Sequence, residues 1–178
     1  MDAGFDLVEA TVPSFDVVAE LWARLFFTEV AFMWEGLEPV LGSDIRRWLT
    51  DALAARPALS GRDEILQAYI ERQVLAEEWS MFQAAVPLVI APAWTVPAAP
   101  VGFDLGGAKT ITALLEHGRF LFCANMLGHP AAVVPVGVAD GLPVGVQVIG
   151  PRYGEALCLA AAELVERAHP PVTPIDPR

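Results

Sequence analysis

The sequence predicts an α/β fold, a mixed β-sheet flanked by helices, and three observations carry that expectation. Apolar residues recur at helical spacing through most of residues 14–82, the pattern of helices with one buried face. A hairpin signal closes around Asp140-Gly141, between the apolar runs AAVVPVGV and PVGVQVIG. An alanine-rich helical stretch follows that hairpin, so helices and strands alternate as a layered α/β architecture requires.

Each element has its own local reason. Residues 5–12 are expected to form a short strand, ended by Pro13. Ser14 is placed to cap a first helix, whose inward face is marked by Val18, Leu21, Trp22, Leu25, Phe26 and Val30. A second helix starts at Ser43, with Ile45, Trp48, Leu49 and Leu53 inward. A third follows Ser60, where Ser-Gly-Arg-Asp resembles a capping box with its acid one methylene short. Ile65, Leu66, Tyr69, Ile70, Val74, Leu75, Trp79 and Phe82 mark its buried face over about five or six turns.

After Ala85 the period changes. PLVIAPAW is a short apolar run bounded by prolines, which reads as a buried strand entering an extended loop. Asp104 to Gly107 breaks the chain, and residues 110–127 lean helical. The Asp140-Gly141 pair suits the positive φ of a two-residue turn. Pro143 is acceptable at a strand start, whereas Pro135 within a strand implies an edge or a bulge. Residues 155–169 form a last helix, its negative end met by His169 and its continuation stopped by Pro170-Pro171.

Composition narrows the function classes. A chain of 178 residues can bury roughly 70% of its unfolded surface in one domain. It is 54% hydrophobic and only 19% charged, against about 25% charged in average soluble domains. That shortfall fits a membrane protein, an oligomer, or a piece of a larger fold. The greasiest run, residues 84–103, is interrupted by Pro87, Pro92, Pro97 and Pro100, which disfavours a spanning helix. The acidic start MDAGFDLVEA lacks the order of a secretory signal, so a cytoplasmic location is expected. A net charge of −11 argues against nucleic acid as a partner. Cys123 and Cys158 read as buried free thiols.

Candidate chemistry is sparse. The four serines are Ser14, Ser43, Ser60 and Ser80; the first three suit helix caps and the last lies inside a helix. None sits in a strand-to-helix elbow or a glycine-rich loop able to aim amides at an oxyanion. Lys109 is the single lysine and follows Gly106-Gly107 in what reads as a loop, where a solvated ammonium is expected. GFDLGGAKT imitates a phosphate loop, but Ala108 intrudes before the lysine. His117, Cys123 and His129 recur every six residues, about 600° of helical rotation, so they share no face and no metal site is expected. Glu77-Glu78 and Asp2 with Asp6 read as solvated faces. Gln147 interrupts an apolar strand; a buried amide needs partners, either a neighbouring backbone or a ligand.

Two segments carry a family likeness. ANMLGHPAAVVPVG (residues 124–137) and GLPVGVQVIGPRYGEALCLAAAELVE (residues 141–166) resemble the carboxy-terminal signature of the amidase signature family. EILQAYIERQVLAEEWSMF is similar to that family's long helix before a core strand, and VPLVIAPAWTVPAAPVG to the strand and its Thr-x-Pro loop, here Thr95-Val96-Pro97. Asn125, Gly128 and Pro130 fall on the family's Asn and Gly-x-Pro positions, and FDLVEATVP is similar to the strand that opens the family's second half. The resemblance implies amide hydrolysis by a nucleophilic serine, a bridging serine and a lysine, all in a first half that has no counterpart here.

Residues 1–178 are therefore expected to form one partial domain, the carboxy-terminal part of an amidase, with no catalytic residue of its own. The resemblance implies that Trp94, Thr95, Phe122 and Asn125 help wall a substrate pocket. No cofactor or metal is implied. The expected partners are the missing amino-terminal half, with a small amide substrate for the complete enzyme. The alternative is a non-catalytic oligomer that covers an apolar face with a second copy.

Overall fold

The structure is a computed structural model that describes residues 5–169, so the expectations at Asp2 and Pro170-Pro171 lie outside the described residues. Helix α1 (Phe15–Leu37) forms where Val18, Leu21, Leu25 and Val30 come round onto one buried face. Ser14 does precede it, but at φ 47° its hydroxyl turns away from the helix and donates to Glu78 Oε2 at 2.7 Å. Glu78 is thus a tertiary acceptor rather than part of a solvated face.

Helix α2 (Ser43–Ala55) starts at the expected residue and buries Leu49 and Ala52. Ile45, expected inward, is exposed. The cluster that receives this helix takes Ala52, Trp48 and Leu53 against Ala23, Phe27 and Ile111, and it does not include the first turn.

Helix α3 (Arg62–Ala85) is held at its start by Glu64, whose Oε2 accepts the Ser60 and Gly61 N–H groups at 3.3 and 3.4 Å. The reciprocal acid is therefore Glu64, not Asp63. Leu75, Ala76 and Trp79 are buried as their spacing requires. Leu66, Tyr69, Ile70 and Val74, expected on the same buried face, are exposed. Apolar residues encircle this helix, and among the described residues only the side facing α1 and α5 is covered.

Strands β1 (Val89–Pro92), β2 (Ala131–Ala139) and β3 (Leu142–Ile149) form an antiparallel sheet in the order β1-β3-β2. Asp140 and Gly141 make the hairpin turn at φ 53° and 77°. The register shifts between Pro135 and Gly137, a bulge on an edge strand, which is how a proline is tolerated there. Residues 5–12 form no strand. A strand is a pairing, and no ladder partner reaches this segment, so Leu7 and Val8 stay exposed.

Helix α4 (Ala108–His117) and α5 (Arg119–Leu127) resolve the ambiguous stretch into two helices bent at Gly118. Helix α6 (Glu155–Ala168) ends where His169 Nδ1 meets the Val165 carbonyl at 2.8 Å. One sheet face sets Val134 and Val148 on Ala161 and Ala162 of α6. The other joins Ile149 to the core of α1, α3 and α5, around Leu21, Trp79 and Leu127.

Gln147 lies on that second face, fully buried, paired across the strands with Ala91 and Val133. Neither its Oε1 nor its Nε2 has a partner among the described residues, because its cross-strand neighbours carry no polar side chain. An unsatisfied buried amide costs about 1–3 kcal/mol. Gln147→Leu is therefore expected to raise the unfolding free energy by about 1–3 kcal/mol in urea titration; a loss of stability would show that the amide is bonded after all.

Candidate functional site

The two segments that carried the family likeness meet in space. Helix α5 ends at Gly128, whose φ of 69° turns the chain into His129 and Pro130. Arg152 donates from Nε and Nη2 to the Leu127 carbonyl at 3.0 and 2.8 Å. His129 Nδ1 donates to the Gly150 carbonyl at 3.0 Å, and Gly150 N–H donates to the Pro130 carbonyl at 2.9 Å. Cys158 at the start of α6 adds a thiol contact to the Pro130 carbonyl at 3.4 Å. Burial holds the His129 pKa below its ordinary 6.5, with Arg152 pushing the same way and the Gly150 hydrogen bond opposing.

A second cluster is an aromatic stack between α1 and α5. Trp22 sits between Phe26 and Phe122, with ring centroids 4.8 and 3.9 Å away and planes within 7°. Gly118 lets Trp94 approach the same place: a Cβ there would lie 2.5 Å from Trp94 Cζ3 and 2.7 Å from Phe122 Cζ. Thr95 is fixed beside it, its N–H donating to the His117 carbonyl at 3.2 Å and its hydroxyl sharing a hydrogen bond with His117 Nδ1 at 2.9 Å. Trp94, Thr95 and Phe122 thus converge on the α4–α5 junction.

The four pocket candidates do not share one cavity. Trp94 lines a cavity of about 340 Å³ under the loop, with Leu114 and Val144. Phe122 borders one of about 100 Å³ that also holds Arg56, Glu116 and Arg119. Asn125, one turn further along α5, opens into a cleft of about 230 Å³ with Trp22, Glu29, Tyr69 and Arg72. The last three residues escaped sequence reasoning, because only the tertiary fold brings Glu29 of α1 to Tyr69 and Arg72 of α3.

The serine hydroxyls and Lys109 are placed on separate elements. Ser14 donates to Glu78, Ser43 to Asp44 and Ser80 to the Ala76 carbonyl, while Ser60 is exposed at the approach to α3. Lys109, expected in a loop, stands exposed on the first turn of α4 and makes no hydrogen bond or ion pair among the described residues. Gly107, at φ 81°, precedes that helix, which begins at Ala108, two residues before the helical stretch expected from Thr110. Burial pushes the Cys123 thiol up to about 12, so it stays protonated and inert at neutral pH. Among the described residues no group of His, Cys, Asp and Glu side chains could hold a metal ion. No described helix is long and apolar enough to cross a membrane.

Comparison with known proteins gives the setting for this geometry. The family model described as Amidase matches residues 2–159. An indoleacetamide hydrolase of Bradyrhizobium japonicum is 31% identical over 168 residues, which are 93% of this chain and 36% of that protein. A fatty acid amide hydrolase of Arabidopsis thaliana is 32% identical over 116 residues, which are 64% of this chain and 19% of that protein. A crystal structure of an amidase superposes with a TM-score of 0.70, at 23% identity, over 91% of this chain and 37% of that one. The chain spans about a third or less of the length of these proteins.

Two outcomes follow from the site's packing. Gly118→Ala drives a methyl group into Trp94 and Phe122, and overpacking of this kind costs about 1–3 kcal/mol. Its thermal midpoint is expected to fall, with loss of the near-ultraviolet signal of the stacked rings. For His129, the lowered pKa means that the unfolded chain takes up the proton more readily than the folded one. Its contribution is complete above pH 6.5, the unfolded value, and is lost as pH falls below that value towards the folded pKa. Denaturant midpoints measured across that window are expected to drop on acidification, and His129→Gln is expected to flatten the slope.

Proposed function

The chain belongs to the amidase family, and we propose that it is the carboxy-terminal portion of an amide hydrolase, residues 1–178 acting as one partial domain that carries no nucleophile. In the complete enzyme a serine oxygen attacks the amide carbonyl. The C–N bond breaks with protonation of the leaving nitrogen, and water cleaves the resulting ester to restore the serine. This chain contributes sheet strands and part of the acyl pocket, with Trp94, Thr95 and Phe122 nearest the α4–α5 junction and Asn125 beyond them. The cytoplasm is the proposed compartment, in keeping with two buried free cysteines.

The observation that carries this reading is the mismatch between family and side chains. The chain matches the amidase family model over residues 2–159, while among the described residues no hydrogen bond joins a serine hydroxyl to Lys109. The relatives' names suggest a substrate class. Indoleacetamide is a flat ring bearing a primary amide, and the face-to-face aromatic rings at the junction suit such a ring. The exposed row Leu66, Ile70 and Val74 supports a partner, the missing half first. The alternative reading covers that row with a second copy in a non-catalytic oligomer.

The isolated chain is expected to release no ammonia from indoleacetamide or phenylacetamide. Mixed with the complementary amino-terminal polypeptide of a relative, it is expected to support turnover, and Phe122→Ala in that mixture to lower kcat/KM about tenfold. Turnover by the isolated chain that disappears in Lys109→Ala would sink the proposal. A defined homo-oligomer that ignores the complementary polypeptide would favour the alternative.

A further inference from the structure

The cleft between α1, α3 and α5 adds Glu29, Tyr69 and Arg72, which the amidase reading does not use, to the aromatic stack and Asn125, which it does. Its apolar wall is the Trp22–Phe26 stack, fixed from behind by Phe122. Its cationic wall is Arg72, held by a hydrogen bond from Nε to the Met126 carbonyl at 2.7 Å. Neither terminal nitrogen of that guanidinium makes an ion pair or hydrogen bond among the described residues, although it borders a cavity. Its anionic wall is Glu29, where Oε1 accepts the Tyr69 hydroxyl at 2.9 Å and Oε2 makes no hydrogen bond among the described residues. The hydrogen bond to Glu29 pushes the Tyr69 pKa up, so Tyr69 remains a donor and keeps the carboxylate in place.

A guanidinium presenting two N–H groups is the natural receptor for a carboxylate. A carboxylate across the same cleft is the receptor for an ammonium. The cleft-facing edges of Trp22 and Phe26, with Leu25 and Met126, give a ring apolar and edge-to-face contact. A cavity of ~150 Å³ accepts benzene, so one of about 230 Å³ takes a phenyl ring with a small polar head. We propose that this cleft binds an aromatic α-amino acid, with its carboxylate on Arg72, its ammonium on Glu29, its ring against Trp22 and Phe26, and Asn125 at the rim. This site shares the aromatic stack and Asn125 with the amide-hydrolysis reading, but its test needs no amide turnover, so the two fail separately.

Calorimetric titration of the full chain with phenylalanine, phenylacetate and phenethylamine tests it. Phenylalanine is expected to bind one-to-one, about tenfold more tightly than phenylacetate, which lacks the ammonium, or phenethylamine, which lacks the carboxylate. Arg72→Gln is expected to weaken phenylalanine and phenylacetate about tenfold. Glu29→Gln, on an exposed turn of α1, is expected to weaken phenylalanine and phenethylamine while leaving phenylacetate unchanged. If the loss of the Met126 contact unfolds Arg72→Gln, the Glu29→Gln series decides. Absence of saturable phenylalanine binding, or phenylalanine binding unaltered in Glu29→Gln, would overturn the proposal.

Discussion

The arrangement of the carboxy-terminal half rests on how α5 ends. A helix terminus leaves carbonyls without intrahelical donors, and burying such an end requires donors from elsewhere. Here Arg152 supplies two N–H groups to the Leu127 carbonyl, and His129 and Pro130 exchange hydrogen bonds with Gly150. Those bonds fix the start of β2 beside the end of β3, where Ala131 lies opposite Ile149. They also fix the start of α6, whose Cys158 lies so close that a Cβ at Gly150 would meet Sγ at 2.4 Å. A side chain at Gly150 would force the β3–α6 loop away from α5, and with it the hairpin that α5 leads into.

Much of that framework was legible because it is encoded locally. The Asp140-Gly141 turn, the bulge near Pro135, the start of α2 and the helix after Gly154 each follow from residues within a few positions of the feature. What failed was of a different kind. The strand expected over residues 5–12 and the buried face expected at Leu66, Tyr69, Ile70 and Val74 depend on a second surface. Periodicity reports that a residue is apolar; it carries no information on whether this chain supplies the cover. Gln147 shows the same limit from the polar side: a buried amide calls for a partner, and among the described residues neither of its side-chain atoms has one.

The candidate site divides along the same line. Trp94, Thr95 and Phe122 lie on motifs that the sequence displays, and they do converge, because Gly118 and His117 sit between them. Asn125 belongs to the same motif, yet α5 turns it towards a different cleft. Tyr69 and Arg72 stand three residues apart on α3, and that spacing alone marks nothing. Their meaning comes from Glu29, forty positions away in sequence, and from the Met126 carbonyl that orients Arg72. Charged and aromatic groups scattered along a helical sequence become a site only after the helices cross.

The uncovered row on α3 ties stability to function. Leu66, Ile70 and Val74 are each about half exposed, and fully burying such a side chain is worth about 1.5–3 kcal/mol. Covering the row therefore contributes a few kcal/mol, a large share of the roughly 5–15 kcal/mol that holds an ordinary domain together. Any partner that supplies the cover binds the folded chain and not the unfolded one, and so stabilises it by mass action. On the proposed reading, where that partner is the missing half, the same association also supplies the nucleophile. On that reading the contact that completes the core and the contact that completes the active site are one event, whereas a second copy of this chain would supply the first alone.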